Sequence, residues 1–418
     1  SYAGKTGIPF TMFNRLMLSF SQATPSFFLS SEITPKSKIL LNRNILERVK
    51  KLTPFLKFDK DPYCVIDNGK LKWIIDSYTT ASTLPYSNVF SNQDYDYISN
   101  QNCNYIRNSV KIVIDAYDGT VDYYISDPND PIIQTYSKIF PGIFKDISEL
   151  PNSLKSHLRY PETLFSIQSE MLNTFHMQNP RVFYNKEDVW SISKELYDST
   201  PQQVKPYYTI MKLPGEDNAE FILMIPFTPA SSQSNSRNNM IAWLAARMDG
   251  DNYGQLILYS LPNNIEVDGP LQIESKIDQD PEISRQLTLW DQNGSSVIRG
   301  NLLVIPIDGN FLYVEPVYLQ SDKEGSLPEL RRVIVAYKEK LVMAETLDAT
   351  LIQIFGENYK NKPATNVQTN EIISDEEIAS DDEIASDNNE QPNIKELLDK
   401  IEEMKILLDS MEKQLQNM

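Results

Sequence analysis

The chain has 418 residues, 41% of them hydrophobic, and a formal charge of −18. That length leaves room for about two to three domains, and the apolar content is enough for a core. Acidity on this scale argues against nonspecific nucleic-acid binding, which needs Lys and Arg to displace counterions, and against a polybasic membrane patch.

Residues 1–29 read as an amphipathic lead-in, because Phe10, Phe13, Leu16, Met17 and Phe20 fall at helical spacing. Either a core helix or a juxtamembrane helix lying against a membrane fits that stripe, with Arg15 beside it. Thr34-Pro35 has the form of a helix start, with Pro in the first turn. That predicts a helix to about Lys51 with Ile39, Leu40, Ile45, Leu46 and Val49 inward, ended by Pro54. Residues 63–78 are predicted to form a hairpin around Asn68-Gly69, and residues 79–104 a long ordered loop. A second hairpin is predicted over 104–127. Val110, Ile112 and Ile114 alternate with Lys111, Val113 and Asp115, and Asp118-Gly119 supplies the turn.

Helices are expected over 132–139, 147–160 and 161–175, the last carrying Leu164, Phe165, Ile167, Met171, Leu172 and Phe175 on one stripe. From residue 207 the pattern becomes mostly β. Strand pairs are expected at 207–213 with 221–227, 241–247 with 254–261, and 296–307 with 311–319, each around a Gly- and Asp-containing turn. Short helices at 271–278 and 281–289 lie between them. A last strand pair, 331–337 with 340–343, precedes a closing helix at 346–355 that Gly356 ends.

The tail changes character. Residues 357–418 hold sixteen acidic and six basic side chains, so that segment carries −10 of the net charge. Residues 374–379 and 380–385 form a tandem acidic repeat, expected to be a solvated, disordered linker. Ile394, Leu397, Ile401, Met404, Leu408, Met411 and Leu415 then step by three and four, which is the seam of a coiled coil. Leu398 and Leu407 widen the stripe, so self-association and docking on this chain or a partner both remain open. The fold class expected is α+β, with mostly antiparallel hairpins packed against helices. Its parts are a mixed helix/hairpin subdomain over 1–200, a mainly β subdomain over 201–356, an acidic linker over 357–392 and a coiled-coil helix over 393–418.

Candidate chemistry is sparse. The two cysteines, Cys64 and Cys103, make no disulfide framework, and neither has zinc-ligand spacing. Two free or buried thiols are expected, although a single bridge is permitted outside the cytoplasm. The only histidines are His157 and His176. Asp146 and Glu149 precede His157, but no Gly-x-Ser-x-Gly elbow exists to pair with it, and a structural or capping role is the expectation. His176 falls at a helix end, near the negative end of the dipole. The densest carboxylate pairs are Asp127 with Asp130, Asp249 with Asp251, and Asp278 with Asp280. They could serve glycosidase chemistry or a calcium loop, but they read more simply as turn and cap residues. Gly-x-Gly-x-x-Gly and Walker patterns are absent, and no cofactor or metal site is expected. The 22 tyrosines could stack on sugars or fill an interface. No run of about 20 apolar residues is present to span a bilayer, and no compact signal peptide follows Lys5.

Ordered stretches across the body carry a family resemblance. They are Ser30-Ser31-Glu32-Ile33-Thr34-Pro35, the 104–127 hairpin, Phe140-Pro141-Gly142, residues 157–162 (His-Leu-Arg-Tyr-Pro-Glu), Pro206-Tyr207-Tyr208, Leu213-Pro214-Gly215-Glu216, Val267-Asp268-Gly269-Pro270, residues 299–303 (Arg-Gly-Asn-Leu-Leu) and residues 312–320. Together they resemble uncharacterised protein family 0182, a group of large bacterial multi-pass membrane proteins. The resemblance implies that a block of transmembrane helices precedes this region and is its partner in the same protein. It further implies that the chain is a soluble fragment from the extracellular or periplasmic side. It implies no activity, since the family has none established.

Three functions follow as expectations. The first is a non-enzymatic interaction or assembly module at the cell surface, with the 393–418 helix as a route to a homo-oligomer. The second is an envelope-polymer-acting enzyme using paired carboxylates. The third is a ligand- or calcium-sensing ectodomain.

Overall fold

The computed structural model describes residues 4, 6–34, 36–90, 103–198, 200–230, 238–262, 264–292, 294–307, 309–323 and 325–357. The acidic linker and the 393–418 heptads lie outside them. The fold is α+β, and most strand pairs are antiparallel. The chain divides into two compact units, Ser1–Gln168 and Ser169–Met418.

The first unit opens with β1 (Ile8–Pro9), α1 (Met12–Ser21), α2 (Ser26–Leu29), β2 (Lys38–Ile39) and α3 (Ile45–Leu52). Then follow β3 (Lys57–Phe58), β4 (Tyr63–Asp67), β5 (Lys70–Ala81), β6 (Tyr105–Asp115), β7 (Val121–Ile125), α4 (Pro131–Ile139), β8 (Phe144–Asp146) and α5 (Asn152–Lys155). Helix α6 (Glu162–Phe175) crosses the division between the units. Six strands form one sheet in the order β3-β5-β6-β7-β8, with β4 also on β5; only β7–β8 is parallel. One face buries Val110, Ile112, Ile114 and Ile75 under Val49 of α3 and Ile133 of α4.

Asn68 and Gly69 both take positive φ, 48° and 75°, so the β4–β5 hairpin has the predicted two-residue turn. The 104–127 hairpin also forms as β6–β7, but its connection is longer than the Asp-Gly turn predicted. The Asp115 carboxylate accepts the backbone N–H groups of Tyr117 and Asp118 at 3.0 and 2.7 Å, and Gly119 sits at φ +69°.

Three local expectations are corrected. The helix expected from Thr34 begins only at Ile45: Asn42 takes φ +51°, which a helix cannot contain, and Asn44 caps α3 by accepting from the Glu47 N–H at 3.1 Å. Ile39 instead pairs with Ile8 as a short strand. The helix expected over 147–160 is a 3-10 turn at Ile147–Glu149 and the short α5, because Pro151 has no N–H to continue the ladder. The single strand expected over 296–307 is two strands. Gly300 interrupts it where the chain crosses Pro316; a Cβ there would meet the Pro316 ring at 2.8 Å.

The second unit continues with α7 (Pro180–Asn185), β9 (Trp190–Ile192), β10 (Lys194–Tyr197), β11 (Thr200–Gln203), β12 (Tyr207–Lys212), β13 (Ala219–Pro229), β14 (Ala242–Arg247) and β15 (Leu256–Ser260). After them come α8 (Pro270–Gln279), α9 (Pro281–Trp290), β16 (Ser295–Arg299), β17 (Leu303–Ile307), β18 (Asn310–Ser321), β19 (Glu329–Tyr337), β20 (Lys340–Ala344) and α10 (Leu347–Phe355). Two five-stranded sheets result, β12-β13-β14-β15 with β9 on β13, and β16-β18-β19-β20 with β17 on β18. Met224, Trp243 and Ala245 of the first sheet meet Val304, Tyr313 and Val317 of the second, together with Ile273 and Ile277 of α8. The second sheet's other face packs Leu303, Ile305, Val314 and Val335 against Leu351 and Ile354 of α10. That sheet is buried on both faces, so Leu303–Ile307 is a continuous apolar run rather than an alternating one.

In the first unit, the face opposite Ile112 holds Lys111, which has no solvent exposure. Its ammonium contacts the Asp76 carboxylate on the neighbouring strand and donates to the Arg159 carbonyl at 2.9 Å. Removing one partner of such a pair leaves an uncompensated buried charge. Lys111→Met is therefore expected to cost about 3–5 kcal/mol, and the double substitution Lys111→Met/Asp76→Leu to recover most of it. Urea denaturation of the three proteins checks the prediction.

Candidate functional site

Three places in the two units have the makings of a site. The first is the surface of α1 and α2. Thr11 caps α1, and Arg15, the helix's only charged residue, donates to the carbonyls of Phe27 and Ser30 at 3.0 and 2.6 Å. That cation therefore ties the two helices together. Phe10 and Leu18 are buried, but Met12, Phe13 and Phe20 are 69–76% exposed, with Leu16 and Met17 partly so. The 13-16-17-20 stripe thus faces outward among the described residues. Phe28 and Leu29 of α2 are exposed as well.

The second is a cleft of about 460 Å³ in the second unit, a volume within the range of small-molecule sites. It is lined by residues 211–217, at the end of β12 and just beyond it, by Trp243 and the β15 residues Tyr259 and Ser260, and by Ile307 and Phe311. Trp243 and Tyr259 stand opposite each other across β14–β15 and stack at 4.1 Å between centroids, 14° from parallel. Glu216 at the rim accepts from Arg247 at 2.7 Å, and Glu220 accepts from the same guanidinium at 2.6 Å and from Asn252. The hydrogen-bonded Arg247 holds the Glu220 carboxyl below its ordinary range.

The third is a buried charge cluster around Arg299, at the end of β16. Its Nε donates to Glu315 at 2.5 Å and its Nη1 to Asp278 at 2.7 Å. Its Nη2 contacts both Glu315, at 2.8 Å, and Glu274. Glu274 and Glu315 have no solvent exposure, and the Glu274 Oε1 has no hydrogen-bond partner. Glu195 of β10, also buried, accepts from the Leu302 N–H at 2.9 Å and from Gln202 at 3.2 Å. Burial pushes the Glu195 carboxyl up to about 7 despite those two donors. Burial likewise holds Glu315 above the ordinary carboxylate range, against the pull of Arg299.

The carboxylate pairs singled out in the sequence serve locally. Asp127 pairs with Arg107 and accepts from the Asn129 N–H. Asp130 caps α4 and also accepts from Thr79, Ser109 and Tyr105. Asp280 caps α9, and Asp249 accepts the Phe221 N–H at 2.8 Å. Asp278 alone joins a larger cluster, the one around Arg299. The His157 ring contacts the Ser153 carbonyl at 2.7 Å on an exposed turn. The His176 ring contacts the Leu172 carbonyl of its own helix at 2.9 Å and stacks on Trp190 at 3.6 Å. Both cysteines are free, Cys64 exposed and Cys103 buried. Among the described residues no group of three His, Cys, Asp or Glu could hold a metal ion, and no helix is long and apolar enough to cross a membrane. The proposed self-association residues, Ile394 to Leu415, lie outside the described residues. Sequence reasoning missed Arg299, Glu274, Glu315 and Glu195, which lie on four separate elements.

The profile of the uncharacterised protein family UPF0182 matches residues 1–290. The chain belongs to this family. Similar proteins include UPF0182 proteins of Desulfitobacterium hafniense (61% identical over 362 residues, 87% of this chain and 37% of the relative) and Moorella thermoacetica (54% over 356 residues, 85% and 38%). A third, from Methanospirillum hungatei, is 50% identical over 355 residues, 85% of this chain and 39% of the relative. The chain therefore spans less than two fifths of the length of these UPF0182 relatives. No solved structure matches it.

In this UPF0182 chain Arg299 is the cation on which the buried carboxylates of Glu274 and Glu315 converge. Arg299→Met should destabilise the second unit by about 3–5 kcal/mol, because it leaves buried carboxylates without their cation. The loss should appear as a lower denaturation midpoint with an unchanged slope.

Proposed function

We propose that this chain is a non-enzymatic interaction and assembly module, part of a longer membrane-anchored protein and carried on the outer side of the cell membrane. The observation that carries the reading is the outward apolar stripe of α1. Met12, Phe13, Leu16, Met17 and Phe20 face away from the unit's own core, and the only cation on the helix is occupied by backbone carbonyls. A helix of that kind binds a bilayer interface through buried apolar area rather than through charge, which fits a chain with a formal charge of −18. The placement outside the membrane and the preceding transmembrane block rest on the family resemblance. Assembly through Ile394, Leu397, Ile401, Met404, Leu408, Met411 and Leu415 rests on their heptad spacing. A second reading, a ligand-sensing ectodomain, draws on the aromatic cleft of the second unit.

Vesicle flotation tests the membrane contact. The chain should float with neutral phosphatidylcholine vesicles, and Phe13→Ser/Met17→Ser/Phe20→Ser should weaken binding at least tenfold, or about 1.4 kcal/mol. These side chains are exposed, so the melting temperature should not move. Equal flotation of both proteins, or of neither, would remove the bilayer reading.

The topology is tested in cells on the full-length protein. A membrane-impermeant maleimide should label the exposed Cys64 without permeabilisation, with Cys64→Ser as the control. Labelling that appears only after permeabilisation would place this region inside.

A further inference from the structure

Arg299 meets more carboxylates than it can neutralise. Glu274 and Glu315 are wholly buried and both use the same Nη2 nitrogen, while Asp278, about half exposed, takes Nη1. Two buried anions against one cation leave an excess charge on glutamates that have no solvent exposure. The Glu274 Oε1 has no donor. A carboxylate oxygen in this position is expensive to keep ionised and far less so when it carries a proton.

We propose that Glu274 and Glu315 share one proton at neutral pH, and that its loss to solvent at alkaline pH releases α8 from the second sheet, making the Arg299 cluster a pH-sensitive latch.

Helix α8 contributes Glu274 and Asp278, β16 contributes Arg299, and β18 contributes Glu315. Beside β18, β19 sets Arg332 opposite Val317, where its guanidinium lies over the Trp290 ring and pairs with Glu345 at 3.4 Å. Glu195 of β10 adds a further carboxylate close enough for Glu315 to feel its charge, and Lys205 acts on Glu195 as a more distant cation. The Tyr207 hydroxyl, which also feels Glu195, is spent on the Val304 carbonyl at 2.6 Å. The remaining charges on α8 and α9 are satisfied outside the cluster, Lys276 by Asp268 and Arg285 by Glu282. Among the described residues of these elements, Arg299 is the one cation that is buried.

The sign follows from linkage. A carboxyl that titrates higher in the folded chain than in the unfolded one binds extra protons when folded. Its contribution is complete below the unfolded value, near 4.5, and is lost as pH rises through the folded value. Glu315 is raised in this sense, and so is Glu195, to about 7. With the shared proton gone, Glu274 becomes a second anion beside Glu315 and is repelled by it. Because Glu274 lies between Ile273 and Ile277, which fill the space between the sheets, movement of α8 opens that core.

The test uses the whole chain and two readouts. Infrared difference spectra should show a protonated carboxylic-acid band at pH 7 that Glu274→Gln or Glu315→Gln removes. Amide exchange, corrected for intrinsic rates, should show that 270–279 loses at least tenfold protection between pH 6.5 and 9 while β18 and β19 hold. In Glu274→Gln that pH dependence should disappear and α8 should stay protected at pH 9. If Glu274→Gln does not fold, Glu315→Gln is read by the same two measurements. A band removed only by Glu195→Gln, no band at all, or a Gln variant that exchanges like the parent at both pH values overturns the proposal.

Discussion

One guanidinium ties the second unit together. Arg299 joins β16 to β18 and both strands to α8 through Glu315, Glu274 and Asp278. It can do so because a planar fork of five donors reaches several carboxylates at once, which a lysine could not match. The position is demanding. The next residue is Gly300, where a side chain would strike Pro316, and β17 then rejoins β18 after a short break. The interruption between β16 and β17 and the cluster beside it are thus one local arrangement, in which the chain leaves the ladder where the arginine turns inward.

The first unit handles buried charge differently. There the Lys111 ammonium contacts Asp76 on the adjacent strand and also donates to the Arg159 carbonyl. Burial still raises the Asp76 carboxyl above its ordinary range against the pull of Lys111, and Asp59 adds a like charge. In the second unit two wholly buried glutamates share a single guanidinium. The two features differ in the number of carboxylates set on one cation rather than in burial, which is nearly complete in both.

Much of the fold was legible because its signals are local. Asn68-Gly69 specifies its hairpin through two positive-φ residues, and Thr346 with Gly356 brackets α10. The failures were local as well. Thr34-Pro35 imitated a helix start, while Asn42 and Asn44, which set the true one, look like ordinary polar residues until their φ values are known. The site was much less legible. Arg299, Glu274, Glu315 and Glu195 are separated by up to 120 residues and carry no motif, and only strand pairing and the docking of α8 bring them together. Even Lys111, which alternates with Val110 and Ile112 as an outward residue would, is buried on the sheet's other face against Asp76 and the Arg159 carbonyl. Period-two alternation assigns a side chain to a face and does not say what covers that face.

The same limit governs α1 from the opposite direction. Phe13, Leu16, Met17 and Phe20 repeat as a core stripe should, and on spacing alone a buried helix and a surface-lying one are indistinguishable. Arg15 separates them. On a core-facing helix the single cation would lie on the solvated side. Here it is turned toward the carbonyls of Phe27 and Ser30, and the hydrophobic residues are left outside. Leu18 is the buried residue of the helix, and Phe10 just before it is buried as well. Exposed apolar area of this extent costs solubility unless another surface covers it.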